Sequence, residues 1–202
     1  MSRPLLALTR DNLGALPEPC RNCSFWESVA GKEDSGPAAM VAKEAWLSAT
    51  LLDWGSCGLV VMIDAVAAGF ITYAPAHLVP RLASFATAPI APDAVALLSV
   101  RVADGYRNAG IGRLLIQGMA ADLVRRGVRA VEAVAAEPGG PNCLIPAEFL
   151  LAVGFKTVRP HRHTPRLRLD LRSTVSWREE IVAATVGRLR LPRPVEAYRS
   201  VN

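Results

Sequence analysis

The stretch Tyr106-Arg-Asn-Ala-Gly-Ile-Gly-Arg113 is the strongest indicator of the fold of this chain. It lies between an apolar run at residues 95–102 and a helical pattern at residues 114–126. An apolar, strand-like run that is followed by glycines and then by a helical period predicts a strand-to-helix turn. The first turn of a helix offers unpaired backbone N–H groups and a partial positive charge. The stretch therefore predicts a cradle for a pyrophosphate.

Four residues of this stretch suit an anion. Gly110 and Gly112 lack Cβ atoms, so they allow a tight turn and a close approach to the backbone amides. Arg107 and Arg113 add full positive charges. A glycine pair before a helix can also be a simple turn. The stretch has neither the Gly-Lys-Ser/Thr ending of a Walker loop nor a third glycine at dinucleotide-fold spacing, which excludes both nucleotide folds.

A wider segment, Val102-Ala-Asp-Gly-Tyr-Arg-Asn-Ala-Gly-Ile-Gly-Arg-Leu-Leu115, resembles the acetyl-CoA signature of the GNAT N-acetyltransferase superfamily. Downstream, Phe149-Leu-Leu-Ala-Val-Gly-Phe155 is similar to the second motif of that family, a short helix that ends in Gly-Phe. The resemblance covers about residues 57–171 and is absent from residues 1–50. It implies a mixed α/β fold, the GNAT fold, with a central, mostly antiparallel sheet flanked by helices and a splayed strand pair that holds CoA.

The resemblance also implies roles for particular residues. The backbone of Val100 and Val102 would polarise the thioester carbonyl and line the path of the pantetheine arm. Asn142 would fall near a position that often contacts this arm. The residues expected around the pyrophosphate are Arg107, Asn108, Ala109, Gly110, Ile111, Gly112 and Arg113.

The catalytic groups are harder to predict, because acyl transfer to an amine needs both a proton acceptor and a proton for the leaving thiolate. Leu150 stands where the family commonly has a tyrosine general acid. Cys143 is a candidate proton donor, and its alternative role is that of a small buried hydrophobe. Glu132, in an apolar strand pattern, is the candidate proton acceptor; its alternative role is an ion pair with Arg129 or another arginine.

A second chemical signal is Cys20-Arg-Asn-Cys23, whose spacing suits a metal knuckle or a redox pair. A structural zinc site needs four ligands, but Cys57 and Cys143 are single cysteines far along the chain. We therefore expect no metal and interpret this segment as a packed or redox-sensitive cap. Because Trp26 follows closely, a further hypothesis is that the segment folds over the acceptor pocket and helps to select the substrate.

The chain is expected to divide into an amino-terminal cap segment at residues 1–36, a GNAT acetyltransferase domain at 37–172 and a carboxy-terminal helix and tail at 173–202. The helix predicted at 177–191 would pack on its own domain or form a homodimer contact. Within the domain the residue patterns predict, in order, a helix at 37–52, strands at 59–63 and 67–73, a connection at 74–92, a strand at 95–102, a helix at 110–126, a strand at 129–135, a helix at 146–152 and strands at 155–159 and 166–171.

Composition limits the remaining classes. A chain of 202 residues with 51% hydrophobic content can bury one sizeable core. It has no apolar stretch of bilayer length and no signal-peptide pattern, so we expect a cytoplasmic location and no membrane partner. The net charge of +5 would help to attract an anionic cofactor. The arginine-rich run at 159–168 has no interleaved aromatic residues, so we expect no nucleic-acid partner.

These observations predict an N-acetyltransferase that moves acetyl from acetyl-CoA to a primary amine by direct nucleophilic attack. The alternative is a non-catalytic module that binds or senses acyl-CoA, which the leucine at position 150 motivates. A peptide lysine, a protein amino terminus, an aminoglycoside and a small polyamine all remain open as acceptors. The acceptor side is expected at residues 1–56 and 74–92, and the second of these segments has no Asp or Glu, which argues mildly against a highly cationic acceptor.

Overall fold

A computed structural model describes residues 4–29 and 35–171 of the chain. The carboxy-terminal helix predicted at 177–191, with the homodimer contact proposed for it, lies outside the described residues. None of the described helices is both long enough and apolar enough to cross a membrane.

The described residues form eight strands and four α-helices. In chain order they are β1 Leu5–Ala7, α1 Arg10–Leu13, α2 Pro37–Trp54, β2 Gly58–Ile63, β3 Val66–Ala74, β4 Ala94–Val102, α3 Ile111–Arg125, β5 Ala130–Ala136, β6 Ile145–Pro146, α4 Ala147–Ala152, β7 Lys156–Arg159 and β8 Arg166–Asp170. Short 3-10 turns occupy Cys20–Asn22, Ala76–Leu78, Pro80–Ser84 and Asp104–Tyr106. Every strand and α-helix predicted between residues 37 and 171 is present to within two residues at either end. The sequence patterns did not predict β1, α1 and β6, which are too short to show a period.

The strands form one mixed sheet in the order β1-β2-β3-β4-β5-β8-β7, with β6 beside β5. The β4–β5 and β5–β6 pairs are parallel, and the other pairs are antiparallel. Because β1 pairs with β2, part of the predicted cap segment supplies an edge strand of the sheet. The expected mixed, mostly antiparallel sheet with flanking helices is confirmed.

The strands β4 and β5 separate after a short paired region. Residues Ala94–Ala96 pair with Ala130–Glu132, and no pairing between the two strands follows within the described residues. The rest of β4 stays paired with β3, whereas the rest of β5 pairs with β8 and β6. A gap therefore opens along β4 at residues 97–102, which is the predicted splay.

A β-bulge in β4 lies at the start of this gap. Ser99 is opposite Thr72 and Leu97 is opposite Tyr73, so Leu98 is the extra residue. A bulge changes which side chains face each side of a strand. Leu98 packs in the apolar cluster that contains Trp26, and Ser99 and Arg101 line a pocket to which Trp26 also contributes. The bulge thus directs polar side chains of β4 to the face that the amino-terminal segment covers.

Helices cover both faces of the sheet. On one face, Leu115 and Met119 of α3 are fully buried in the largest apolar cluster. On the other face, Leu47 of α2 packs with Val60 and Phe70. Burial of these faces provides the main apolar stabilisation of the fold.

A buried polar network joins α3 to the sheet. Asp122 accepts hydrogen bonds from the hydroxyl of Tyr73 at 2.8 Å and from Nε of Arg126 at 3.0 Å. Burial, and then the nearby Asp122 carboxylate, raise the pKa of Tyr73, which keeps it a hydrogen-bond donor. Arg126 also donates to the backbone carbonyl of Trp54, so one network fixes the end of α2 against α3.

Candidate functional site

The predicted cradle forms the turn between β4 and α3. Gly110 precedes the helix in a left-handed conformation with φ of 77°, and Asn108 has φ of 61°. The N–H of Leu114 donates to the carbonyl of Gly110 at 3.1 Å, which is the first hydrogen bond of the helix. The amides of residues 111–113 precede that bond and are the donors that a helix terminus offers to an anion.

The two cradle glycines are required for different reasons. A Cβ atom on Gly110 would meet nothing within 4 Å, so its positive φ is the constraint. A Cβ atom on Gly112 would lie 3.0 Å from Cε2 of Phe149 in α4. Gly112 therefore lets α3 pack closely against α4, whereas Gly110 shapes the backbone of the turn.

The charged groups of the cradle face solvent. Arg107 forms an ion pair with Asp104 at 2.7 Å, and both side chains are largely exposed. Arg113, in the first turn of α3, is also exposed. Asn108, Ala109 and Gly110 are exposed as well, whereas Ile111 is buried in the core. The cradle is thus an open, positively charged turn, and Ile111 is its buried contact with the core.

The edge of β4 that faces the gap carries the predicted backbone donors. The N–H of Ala103 donates to the carbonyl of Ala68 on the β3 side at 2.9 Å. Backbone groups of successive strand residues point in alternate directions, so the amides of Val102 and Val100 point away from β3. They face the side on which β5 diverges, while their half-buried side chains pack on the core.

The structure gives Glu132 two arginine partners. This carboxylate is buried, with Oε1 3.2 Å from Nη1 of Arg168 and Oε2 3.2 Å from Nε of Arg166. Its Oε2 also accepts a hydrogen bond from the N–H of Ala91 at 3.1 Å. These contacts fit the ion-pair alternative for Glu132, with arginines of β8 in place of Arg129. The role of this residue as proton acceptor stays a prediction, and both of its oxygens are already engaged.

Two other predicted positions differ in their surroundings. Leu150 is fully buried in the main core, so the position at which the family commonly has a tyrosine holds an apolar packing residue. Asn142 is exposed, and its backbone carbonyl accepts a hydrogen bond from Arg101. This bond ties the connection between β5 and β6 to β4 across the gap.

A pocket lies against the face of β4 that carries Ser99 and Arg101. Phe25, Trp26 and Glu27 of the segment before α2 contribute to its lining. The aromatic rings of Phe25 and Trp26 meet edge to face, with centroids 5.3 Å apart. The amino-terminal segment therefore covers a pocket beside β4, and the assignment of this pocket to the acceptor stays a hypothesis.

The pocket contains a buried ion pair that the sequence did not predict. Nζ of Lys43 donates to Oε1 of Glu27, and the side chains are 11% and 3% exposed, respectively. Among the described residues, Oε2 of Glu27 and Nε1 of Trp26 have no hydrogen-bond partner. Buried polar atoms are nearly always paired, so these two atoms mark places where a ligand could bind. The acidic residue beside Trp26 was the available sequence signal, but its burial was not visible.

Three cysteines also line this pocket, at positions 20, 23 and 143. The sulfur atoms of Cys23 and Cys143 are 4.0 Å apart. The hydrogen bond between Cys23 and Cys143, with smaller effects of the Phe25 amide and the Lys43 charge, lowers the pKa of Cys23 to about 6. The same contact raises the pKa of Cys143. Within residues 4–29 and 35–171, no group of three or more His, Cys, Asp or Glu side chains could hold a metal ion.

The sequence matches the family model described as the acetyltransferase (GNAT) family over residues 21–142, which is more than half of the chain. No curated protein matches it.

Solved structures with the same fold include three bacterial or archaeal proteins. A PaiA N-acetyltransferase from Thermoplasma acidophilum in complex with coenzyme A is 16% identical, with a TM-score of 0.56, over 84% of this chain and 99% of that chain. The yncA protein from Salmonella typhimurium, solved with its cofactor acetyl-CoA, is 16% identical, with a TM-score of 0.59, over 85% of this chain and 95% of that chain. An N-acetyltransferase from Staphylococcus aureus Mu50 is 15% identical, with a TM-score of 0.56, over 85% of this chain and 99% of that chain.

Proposed function

The chain belongs to the GNAT acetyltransferase family, and from that premise we propose that it moves acetyl from acetyl-CoA to a primary amine by direct nucleophilic attack. The observation that carries the proposal is the position of the gap between β4 and β5. The same stretch of β4, residues 97–102, borders this gap, lines the pocket with Ser99 and Arg101, and leads into the cradle. One strand thus connects a site for a phosphate-bearing cofactor with a site for a second substrate.

The residues of the cofactor side fit acetyl-CoA. The open, left-handed turn at Gly110 and the amides of residues 111–113 suit a pyrophosphate, and Arg107 and Arg113 add charge. Two of the structures with this fold were solved with coenzyme A or acetyl-CoA. The thioester of acetyl-CoA supplies the activated acetyl group. The outward-facing amides of Val100 and Val102 are placed to bind along the gap and to polarise a carbonyl there.

We assign the proton acceptor on the amine side to Glu27. An amine must lose a proton to attack, and a carboxylate oxygen without a protein partner is available for that proton. Oε2 of Glu27, a residue of the pocket lining, is buried and has no hydrogen-bond partner among the described residues, so an amine would reach it only by entering the pocket. Both oxygens of Glu132 already have partners. Lys43, bound to the other oxygen of Glu27, fixes the orientation of the carboxylate.

Cys143 remains the proposed proton donor for the leaving thiolate. It lines the pocket on the connection that follows β5. Its hydrogen bond with Cys23, and then burial, raise its pKa, so its thiol is protonated at neutral pH. A protonated thiol at this place can donate where Leu150 cannot.

The charges of the pocket leave the class of amine open. Lys43 and Arg101 contribute two positive charges to the lining, and at neutral pH Glu27 and the Cys23 thiolate contribute two negative charges. The lining thus has no excess of either sign, so its charge does not select between a singly charged and a highly cationic primary amine. The cytoplasmic location and the homodimer contact stay predictions.

The alternative function is a non-catalytic module that binds or senses acyl-CoA. The burial of Leu150 in the core favours it, because the position of the common general acid has no ionisable group. Such a module would use the same cradle and gap without transferring acetyl.

Calorimetric titration with acetyl-CoA, CoA and ATP, together with mass detection of acetylated products from a mixed panel of amines, tests the proposal. We expect selective binding of acetyl-CoA and CoA over ATP, and an N-acetylated amine formed in proportion to the CoA released. Selective binding without any acetylated amine across the panel would favour the sensing module. Absence of acetyl-CoA binding would contradict the assignment of the cradle.

A further inference from the structure

The cysteine pair in the acceptor pocket has no role in the acetyl transfer proposed above, apart from the thiol proton of Cys143. Cys23 and Cys143 are 120 positions apart in sequence, yet their sulfur atoms are 4.0 Å apart. Both side chains are partly exposed to the pocket. The fold therefore brings together two reachable thiols from segments that are otherwise unrelated.

We propose that Cys23 and Cys143 are a redox-sensitive pair that a peroxide converts into a reversible disulfide, and that this bond closes the acceptor pocket. The disulfide itself does not depend on the proposed function. Its effect on catalysis rests on that function, because it acts through the pocket to which the amine is assigned.

The positions of the two residues allow the bond to form. A disulfide requires sulfur atoms about 2.05 Å apart, so the pair must approach by about 2 Å. Cys23 follows the 3-10 turn Cys20–Asn22, and Cys143 lies in the turn before β6. Cys23 forms an isolated β-bridge with Ser35, but neither cysteine lies inside an α-helix or a strand of the main sheet. Local changes of backbone and side chain can therefore bring the sulfurs together without breaking the main sheet.

The surroundings favour a thiolate at Cys23. Its pKa is lowered to about 6, chiefly by its hydrogen bond with Cys143, and the Lys43 charge acts in the same direction. Burial opposes this effect, as does the charge of Glu27. Cys20 and Arg101 also face Cys143, with opposite effects on its pKa. Reactive cysteines occur in such partly exposed, positively charged surroundings.

The chemistry balances with one peroxide for each pair. The Cys23 thiolate attacks hydrogen peroxide, so that an S–O bond forms, the O–O bond breaks and the leaving hydroxide takes up a proton to give water. The sulfur of Cys143 then attacks the sulfenic acid at Cys23, so that the S–S bond forms and the S–O bond breaks. The second hydroxide leaves as water with the Cys143 proton. The two thiols lose two electrons, and the peroxide gains them.

The other two cysteines are poorer partners. Burial raises the pKa of Cys20, although the Arg101 charge opposes this effect. Cys57 is completely buried, and burial raises its pKa to about 12. Both residues stay protonated at neutral pH and react slowly with peroxide. They provide internal controls in the same chain.

The bond would affect the two sides of the site differently. A disulfide would tie the segment that carries Phe25, Trp26 and Glu27 to the connection between β5 and β6, and would draw two walls of the pocket together. The cradle at Gly110 has no residue in this pocket. Amine transfer should therefore be lost on oxidation, because the pocket is closed and because Cys143 no longer has a thiol proton to donate, while acetyl-CoA binding is retained.

The first test is to map the bond. The purified full chain is treated with hydrogen peroxide at pH 7, its free thiols are alkylated, and a non-reducing digest is analysed by mass spectrometry. We expect a linked pair of peptides that carry Cys23 and Cys143, which a thiol reductant separates. A link between Cys20 and Cys23, or oxidation of Cys23 to a sulfinic acid without a link, would overturn the proposal. Cys23→Ser should abolish the link, and Cys57→Ser should leave it unchanged.

The second test measures acetyl transfer and acetyl-CoA binding before oxidation, after oxidation and after reduction. We expect oxidation to lower the transfer rate at least about 10-fold, with recovery in reductant and with unchanged acetyl-CoA affinity. Peroxide should not change the transfer rate of Cys23→Ser, which is compared with the rate of the same variant before oxidation. A mapped disulfide with unchanged transfer would overturn closure of the pocket. Absence of transfer even in the reduced protein would contradict the proposed function and leave the mapped disulfide standing.

Discussion

The proposed cofactor cradle and the proposed acceptor pocket are built in opposite ways. The cradle is one continuous turn in which backbone amides are the main donors, and its shape depends on the left-handed conformation of Gly110. The pocket is assembled from side chains of segments that are distant in sequence, including Glu27, Lys43, Arg101 and Cys143. The cradle is open to solvent, whereas the ion pair of the pocket is almost completely buried.

Cofactor binding and acceptor selectivity are therefore assigned to separate regions of the chain. A cradle made of backbone can hold the same cofactor in many sequences, because few side-chain identities matter. A pocket made of buried side chains depends on each residue, because each unpaired or charged atom must meet a partner. The two regions should therefore respond separately to substitution.

The largest expected effect is on the cradle. Gly110→Val combined with Gly112→Val should abolish measurable acetyl-CoA binding, because a β-branched residue resists a φ of 77° and a Cβ at position 112 would press on Phe149. Calorimetry measures the affinity, and thermal unfolding checks the fold.

The matched control for this variant is Gly127→Val. Gly127 follows the other end of α3 and has φ of 75°, and a Cβ atom added to it would meet nothing within 4 Å. It should show a similar loss of stability without any loss of acetyl-CoA binding. Equal acetyl-CoA affinity in the double variant and in Gly127→Val would show that binding does not depend on the cradle glycines in particular, and the cradle assignment would fail.

The next effect tests the pocket. Glu27→Gln should lower the rate of amine acetylation about 100-fold, since the amide cannot take the proton of the amine. Acetyl-CoA affinity should stay unchanged, because Glu27 lies in the pocket and not in the cradle. The measurement is the transfer rate from pH 6 to pH 9, with binding measured on the same sample.

Glu44→Gln is the control for that variant, because Glu44 is an exposed residue of α2 that pairs with Arg10 at 2.6 Å. Its transfer rate should equal that of the unaltered protein. An unchanged transfer rate and pH profile in Glu27→Gln would show that Glu27 is not the proton acceptor. Glu132 would then be the remaining candidate.

A smaller effect concerns thiol reactivity in the pocket. At pH 7 Cys23 should react with iodoacetamide about 10-fold faster than Cys20, because its pKa is lowered to about 6 and that of Cys20 is raised. Lowering a pKa favours the thiolate above that pH, so the rate should be flat above pH 7 and should fall as the pH drops through 6. Peptide mass spectrometry after timed alkylation gives both rates. Equal rates at every pH would show that Cys143 does not activate Cys23.

The smallest effect comes from the exposed charges of the cradle. Arg113→Ala should weaken acetyl-CoA binding about 5-fold, and less at high salt, because an exposed arginine gains little from each ionic contact. Arg125→Ala, in the last turn of the same helix, should leave the affinity unchanged. A loss for Arg113→Ala that does not depend on salt would point to a structural role instead of a charge effect.

The sequence predicted the elements that rest on local patterns. The glycines of the cradle, the apolar run of β4 and the alternating residues of β8 each carry a period or a turn signal within a few residues. The residues near Trp26 suggested a cover over a pocket, but the buried ion pair in its lining could not be predicted in this way, because Glu27 pairs with Lys43 of α2, a different part of the chain. The amino-terminal strand β1 has only three residues, too few for a pattern.

Glu132 shows the same limit in the predicted catalytic residues. Its place within an apolar strand was visible in the sequence and suggested a function. The register of β5 against β8, which sets Arg168 directly opposite Glu132, was not visible. Cross-strand ion pairs depend on that register. An acidic residue in an apolar strand pattern therefore indicates a polar role, but the pattern alone does not distinguish an ion pair from a catalytic proton acceptor.

Direct transfer of acetyl to the amine can be followed in a single turnover. The reduced protein, in excess over acetyl-CoA, is mixed with the panel of amines, and the N-acetylated amine, free CoA and the intact mass of the protein are followed in time. We expect the acetylated amine and CoA to appear at the same rate and the protein mass to stay unchanged. Acetylated protein that forms before the product, or acetyl-CoA that is bound but never consumed, would contradict direct transfer between the cradle and the pocket.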